Sequence, residues 1–192
     1  SQSLSKFTLK RYLDAHHSNA TFEDDRGISP LQALCMNDRV SMDMIDQYLQ
    51  VHPAHIEEAL IVSAVEGKTA LHYLCSNRNA TMQTAKMLIA KNPAALNAAD
   101  SDGKTPLIIA YERDKVKSTD ESKKLVKYLI KRSSTAHATE ELGNNQLHQV
   151  LMCQQRMNIK TGVAIEISKE LIALNPGLLL LKNKVDVTPS DL

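Results

Sequence analysis

The stretch Asp102-Gly103-Lys104-Thr105-Pro106-Leu107 decides the fold, because its pattern returns along most of the chain. The glycines that open the pattern are separated by 40, 36 and 40 residues. Regularly spaced glycine and proline residues mark fixed backbone geometry, so they indicate an internal repeat. The copies are Gly27 with Ser29-Pro30-Leu31, Gly67 with Thr69-Ala70-Leu71-His72, Gly103 with Thr105-Pro106-Leu107, Gly143 with Asn145-Gln146-Leu147-His148, and a partial copy at Thr188-Pro189.

The segments between these turns carry apolar residues at the i, i+3, i+4 spacing of amphipathic helices. They lie at 45–49, 85–89, 125–130 and 167–172, with an earlier copy at 9–13. Alternation of polar and apolar residues, which is typical of strands, is essentially absent. Glycine can adopt the positive φ of a tight turn, and the Ser or Thr after it can cap the next helix. The sequence therefore predicts an all-α protein in which glycine turns join pairs of helices.

These phrases resemble the ankyrin-repeat family, whose unit is a turn and two antiparallel helices with the signature Thr-Pro-Leu-His-x-Ala. The family unit has about 33 residues, whereas these copies run 36 to 43 residues. The resemblance implies a single ankyrin-repeat solenoid of stacked helix-turn-helix units over residues 1–192. The predicted repeats cover residues 27–66, 67–102, 103–142 and 143–185, with partial copies at 1–26 and 186–192.

Composition excludes several classes of partner. The chain has 192 residues, 23 basic and 22 acidic, so no net field draws it to nucleic acid. The longest apolar runs are far shorter than the roughly 20 residues that span a bilayer. Three scattered cysteines are typical of a reducing, intracellular and cytoplasmic setting. Because the first residues are polar and no initiator Met is present, we expect the sequence to be a piece of a longer protein.

The histidines and cysteines are the candidates for chemistry. His72 and His148 suggest a catalytic or metal role, but the resemblance implies that each bonds the backbone of a neighbouring turn. Cys35 and Cys75 fall where the family buries small residues. Cys153 is expected to face an exposed wall, where it could act as a nucleophile, but no partner His or Asp is visible in the sequence. A metal site at His16, His17, His52 and His55 is disfavoured because Pro53 interrupts any helical face there, and we predict neither metal nor cofactor.

Two local patterns concern the third repeat. Ser118 to Glu121 reads Ser-Thr-Asp-Glu and is predicted to be the capping box of its outer helix. The run from Lys123 to Arg132 sets its lysines opposite its apolar residues. This pattern predicts a solvated outer face, with contact to an acidic partner or a lipid surface as the alternative.

In the ankyrin family the turn tips and the exposed side of the inner helix bind partners, and the resemblance implies the same surface here. We call this surface the inner-helix wall and expect it to be concave. It mixes charges of both signs with apolar anchors, which is typical of a protein-binding surface. The predicted wall residues are Arg26, Ile28, Met36, Asn37, Glu66, Lys68, Ser76, Asn77, Asp102, Lys104, Glu112, Arg113, Leu142, Asn144, Met152 and Cys153.

The predicted function is therefore a non-catalytic protein–protein interaction module that holds another protein on this wall, without a small-molecule substrate. A ridge formed by residues 113–120 and 154–162 is the alternative binding surface. The alternative function is a targeting domain of a larger enzyme, or of a secreted effector through which an intracellular microbe acts on a host protein. An intrinsic hydrolase built on Cys153 or the histidines is a third hypothesis.

Overall fold

The computed structural model describes residues 28–51, 66–135, 143–156 and 158–192. These ranges contain helices and turns but no strand, which confirms the all-α prediction. No helix within them is long and apolar enough to cross a lipid bilayer. The α-helices are α1 (Pro30–Met36), α2 (Met42–Val51), α3 (Ala70–Ser76), α4 (Met82–Lys91), α5 (Pro106–Val116), α6 (Asp120–Thr135), α7 (Gln146–Gln155) and α8 (Thr161–Leu174), and 3-10 turns lie at Pro93–Leu96, Pro176–Leu180 and Pro189–Asp191.

The helices form two rows, because each repeat contributes one inner and one outer helix. The inner helices α1, α3 and α5 pack side by side, and the outer helices α2, α4, α6 and α8 pack in a second row. The leucine of the repeated phrase anchors the stack. Leu31, Leu71, Leu107 and Leu147 are each at most 1% exposed, and burying one such side chain contributes about 1.5–3 kcal/mol.

Polar side chains fix where the helices begin. The Ser29 hydroxyl accepts a hydrogen bond from the Gln32 amide (3.3 Å), and the Gln32 side chain accepts one from the Ser29 amide (3.0 Å). The predicted capping box at Ser118 to Glu121 is wrong by one residue. The box is formed instead by Thr119 and Ser122, whose side chains accept from each other's amides at 2.8 and 3.0 Å. The Ser118 hydroxyl donates instead to Asp114 (3.1 Å).

The predicted turn geometry is confirmed at three glycines. Gly67, Gly103 and Gly143 have φ values of 65°, 79° and 69°. In the partial copy near the end, Asp186 stands in the glycine's place and has φ 68°, a conformation that Asp tolerates better than most residues. The fifth turn therefore has the same backbone form as the others.

The predicted outer face of α6 is confirmed. Lys123, Lys127 and Lys131 are exposed, whereas Leu125 and Leu129 are fully buried. Because positions four apart lie on one side of a helix, the lysines form a stripe that points away from the core.

Candidate partner-binding wall

The exposure of a wall residue depends on its distance from the turn glycine. Residues nine positions after the glycine lie on the open side of the inner helix. In the described part of the chain Met36 and Ser76 are exposed there, and Glu112 and Met152 are half-buried. The residues directly before the glycine, Glu66 and Asp102, are also exposed. These are the predicted wall residues that are most accessible to a partner.

The next position along the chain points inward, which corrects part of the predicted wall. Asn77 is 7% exposed because its side-chain amide donates to the Cys35 and Asn37 carbonyls of the preceding repeat, at 2.9 and 2.7 Å. Arg113 likewise donates to the Asn77 carbonyl. Cys153 is 1% exposed, with its Sγ 3.8 Å from the Asp102 carbonyl oxygen. The residue ten positions after the glycine therefore joins one repeat to the preceding one.

The residue directly after the glycine is also less accessible than predicted. Ile28 is 8% exposed and Asn144 is 1% exposed, while Lys68 and Lys104 are half-buried. The turns stack on each other at this position. For example, the Asn183 side chain of the fifth turn donates to Asn144 Oδ1 at 2.8 Å. Ile28 and Asn144 therefore belong to the interior rather than to the wall.

A groove crosses the wall between the first and second repeats. Its volume is about 480 Å³. Met36 and Tyr73 supply its apolar surface, and Asp38 and Arg78 form a salt bridge of 3.1 Å beside it. Ser76, the last residue of α3, also lines the groove. The groove is large enough to receive apolar side chains of a protein partner.

Two cations of the wall are paired with carboxylates. Lys68 Nζ lies 3.0 Å from Glu66, which also accepts a hydrogen bond from the Tyr73 hydroxyl (3.2 Å). Lys104 Nζ lies 2.8 Å from Glu112. These pairs are partly exposed, so each stabilises the fold by only about 0–1 kcal/mol, and a partner can exchange them for contacts of its own.

The histidines join the turns, as the resemblance implied. His72 Nδ1 accepts from the Thr69 amide (3.1 Å), so Nε2 carries the proton and donates to the Lys104 carbonyl (3.0 Å). His148 Nε2 lies 2.9 Å from the Val187 carbonyl oxygen in the same way. Burial lowers the pKa of His72 to about 4, although the hydrogen bond to the Lys104 carbonyl acts in the opposite direction. His72 is therefore a neutral structural group near neutral pH.

The cysteines are free and buried. Cys35 and Cys75 belong to the core, which confirms the prediction for both. Burial raises the pKa of the Cys75 thiol to about 12 and that of the Cys153 thiol to about 11. Since the thiolate is the nucleophile, the expectation of an exposed and reactive Cys153 is wrong.

Several predictions fall outside the described residues. These concern Arg26 and Leu142 of the wall, Gly27, and the histidines at positions 16, 17, 52 and 55. In the ranges that are described, no group of three His, Cys, Asp or Glu residues is arranged to hold a metal ion. The first part of the predicted ridge, residues 113–120, is shorter than expected. Its first four residues, Arg113 to Val116, belong to α5.

Sequence reasoning missed Tyr73 and the Asp38–Arg78 pair. Tyr73 lies three residues before Ser76, so the two share one side of α3. Applying the helical spacing backwards from the exposed position would have identified it. The Asp38–Arg78 salt bridge joins residues 40 apart, and no local pattern indicates that the two side chains meet.

The family model described as ankyrin repeats (3 copies) matches residues 41–141. The chain belongs to the ankyrin-repeat family. Ankyrin repeats are general protein-interaction modules and are typically non-catalytic. Among curated proteins none matches the chain.

One similar solved structure is described as a predatory endopeptidase from Bdellovibrio bacteriovorus in complex with an immunity protein. The similarity has 17% sequence identity and covers 89% of this chain and 93% of that chain. Its TM-score is 0.34, and a likeness of this strength carries no argument about shape or function.

Proposed function

We propose that this domain is a non-catalytic module that holds a partner protein along the inner-helix wall, with the groove beside Met36 as the main anchor. The observation that carries the proposal is the groove itself, because it joins two repeats and combines an apolar surface with a polar margin. Met36 is 42% exposed. An exposed flexible side chain of this kind suits an adaptable contact with a protein.

The wall supports binding in a second way, because its accessible positions are not needed by the stack. Ser76, nine positions after Gly67, donates to the His72 carbonyl of its own helix (3.0 Å) and to no other described residue. Asn77, one position later, is committed to the preceding repeat. A side chain nine positions after the glycine can therefore contact a partner without disturbing the interface between repeats.

The test is capture of a partner by the domain carrying Met36→Glu and Ser76→Glu. The control carries Gln83→Glu and Ile165→Glu, two exposed positions outside the wall and the ridge that receive the same new charges. A charge buried at the anchor of an interface is costly. We therefore expect the amount of partner retained by the groove variant to be about tenfold lower than that retained by the parent or the control. Both variants are first checked for parental helicity by circular dichroism.

Each outcome decides the proposal. A protein held by the parent and the control but lost by the groove variant supports it. A protein held equally by all three domains places binding elsewhere and refutes the groove. Absence of any retained protein contradicts the binding function for this domain.

A further inference from the structure

The outer side of the stack carries a charge that the whole sequence does not. The formal net charge of the chain is only +1. The exposed charged side chains of α4, α6 and α8 include Lys86, Lys91, Lys123, Lys124, Lys127, Lys131, Arg132 and Lys169, against Asp120, Glu121, Glu166 and Glu170. The outer row from the second to the fourth repeat is therefore a basic face, and α6 supplies most of its cations.

The lysines of α6 are arranged in a way that does not stabilise the helix. Lys123, Lys127 and Lys131 follow one another at i, i+4 and i+8, and like charges at this spacing repel each other. Lys124 is neutralised by Glu121 (2.7 Å). Within the described ranges Lys123 and Lys127 have no carboxylate partner, so both are available to an anion outside the chain.

A cleft of about 470 Å³ lies beside these lysines, between α6 and the helices α5 and α8. Lys115, Lys123, Lys124 and Lys127 line it, and the buried Tyr111 and Val126 supply apolar surface at its base. The lysine stripe therefore borders a concave surface and not a flat one.

The carboxylates around the cleft have their own tasks. Glu166 lies 2.8 Å from Lys115 Nζ and accepts from the Tyr111 hydroxyl at 3.1 Å. Asp114 accepts from the hydroxyls of Ser118 and Ser122. Asp120 lies in the first turn of α6, where the helix dipole favours an acid. Glu170 is exposed and also lines the cleft, so the lining carries one acidic side chain of α8 as well as the lysines.

We infer that the Lys123–Lys127 face of α6 and its cleft bind an acidic segment of a partner protein, as a second surface distinct from the inner-helix wall. Carboxylates of such a segment would pair with Lys123 and Lys127, and an adjacent apolar residue would enter the cleft over Tyr111 and Val126. A lipid surface is disfavoured because amphipathic membrane helices place large apolar residues beside their lysines, and α6 exposes none. Nucleic acid is disfavoured because the described residues of this face include no exposed aromatic side chain for stacking.

The test is fluorescence anisotropy with a fluorescein-labelled glutamate-rich peptide that contains leucine, and with a glutamine-rich peptide of the same length as the uncharged control. The 192-residue chain is compared with the Lys123→Glu/Lys127→Glu variant. A charge-matched control carries Arg39→Glu and Lys182→Glu, which are exposed and lie far from α6 along the chain. Vesicles containing phosphatidylserine and a single-stranded RNA serve as competing probes.

We expect the acidic peptide to bind the parent and the Arg39/Lys182 control alike, to bind the Lys123/Lys127 variant at least about tenfold more weakly, and to dissociate as salt is raised. The inference is overturned if the parent binds no acidic peptide, or if both variants bind it equally. It is also overturned if vesicles or RNA bind this face and the peptide does not.

Discussion

The interface between the second and third repeats differs from the interface between the third and fourth. In the first, α3 packs directly on α5, and the buried His72 joins the two turns through the Lys104 carbonyl. In the second, Ile108 occupies the position of His72 and cannot make that bond. There α5 has sparse contact with α7, and α8 packs against both α5 and α6 instead.

The polar contacts across the two interfaces use different side chains. Across the interface between the third and fourth repeats, Gln146 Nε2 donates to the Thr105 hydroxyl (2.6 Å) and Asn175 Nδ2 donates to the Ser134 carbonyl (2.8 Å). The Asp102 carbonyl accepts from Cys153 and from Asn158. The same interface also uses the partly exposed Lys115–Glu166 pair (2.8 Å). Buried hydrogen bonds are costly to break, whereas exposed ion pairs contribute little. One repeat of the sequence can therefore be joined to its two neighbours by different side chains.

The largest expected effect is that of His72→Ala. This change leaves the Thr69 amide and the Lys104 carbonyl without their partner in a buried place and creates a cavity. We expect it to lower the free energy of unfolding by about 3–4 kcal/mol in a urea titration. His72→Gln is the matched control, because Gln32 makes the equivalent two bonds in the first repeat. Equal losses in both variants would show that the bond between turns is unimportant.

The same pair of variants tests the pH dependence. The pKa of His72 falls from 6.5 to about 4 on folding, so the unfolded chain takes up the proton first as the pH is lowered. Its contribution is present above pH 6.5 and is lost as the pH falls toward 4, by up to about 3 kcal/mol. His72→Gln should lack this part of the acid sensitivity. Parallel pH profiles of unfolding for parent and His72→Gln would contradict the assignment.

A smaller difference is expected between two glycine substitutions. A Cβ at Gly67 would lie 2.7 Å from the Ser101 backbone nitrogen of the next turn, whereas one at Gly103 would meet only the end of the Arg156 side chain at 3.5 Å. Both positions have positive φ, which costs about 1–2 kcal/mol for alanine. Thermal melts should therefore show Gly103→Ala losing about that amount and Gly67→Ala losing about 2–4 kcal/mol. A reversed order would contradict the tighter packing of the second and third turns.

The smallest effect is expected for Glu166→Gln. The carboxylate accepts from Lys115 and Tyr111, and these contacts lower the pKa of Glu166. Because the group is at the surface, screening by water leaves little stability in the pair. We expect melting curves of the variant and the parent to coincide within replicate error. A clear drop in Tm would show that this pair holds the fourth repeat in place.

The repeat and the helices could be predicted from the sequence because glycine and proline constrain the backbone locally. The wall could be predicted only in part. Ser76 is the last residue of α3 and Asn77 follows it in an extended conformation. Only the stacked neighbour determines that Ser76 is open and Asn77 enclosed. The packing of α8 against α5 could not be predicted from local patterns either, because it depends on how closely neighbouring helices pack. The cytoplasmic location stays a prediction.

The most direct test of partner binding on the wall is photo-crosslinking in cell lysate. Benzoylphenylalanine is placed at Ser76, on the open side of α3, and separately at Gln83, on the exposed side of α4. We predict a discrete adduct of higher mass from position 76 and none from position 83. An adduct from position 83 without one from position 76 would contradict the inner-helix wall as the binding surface.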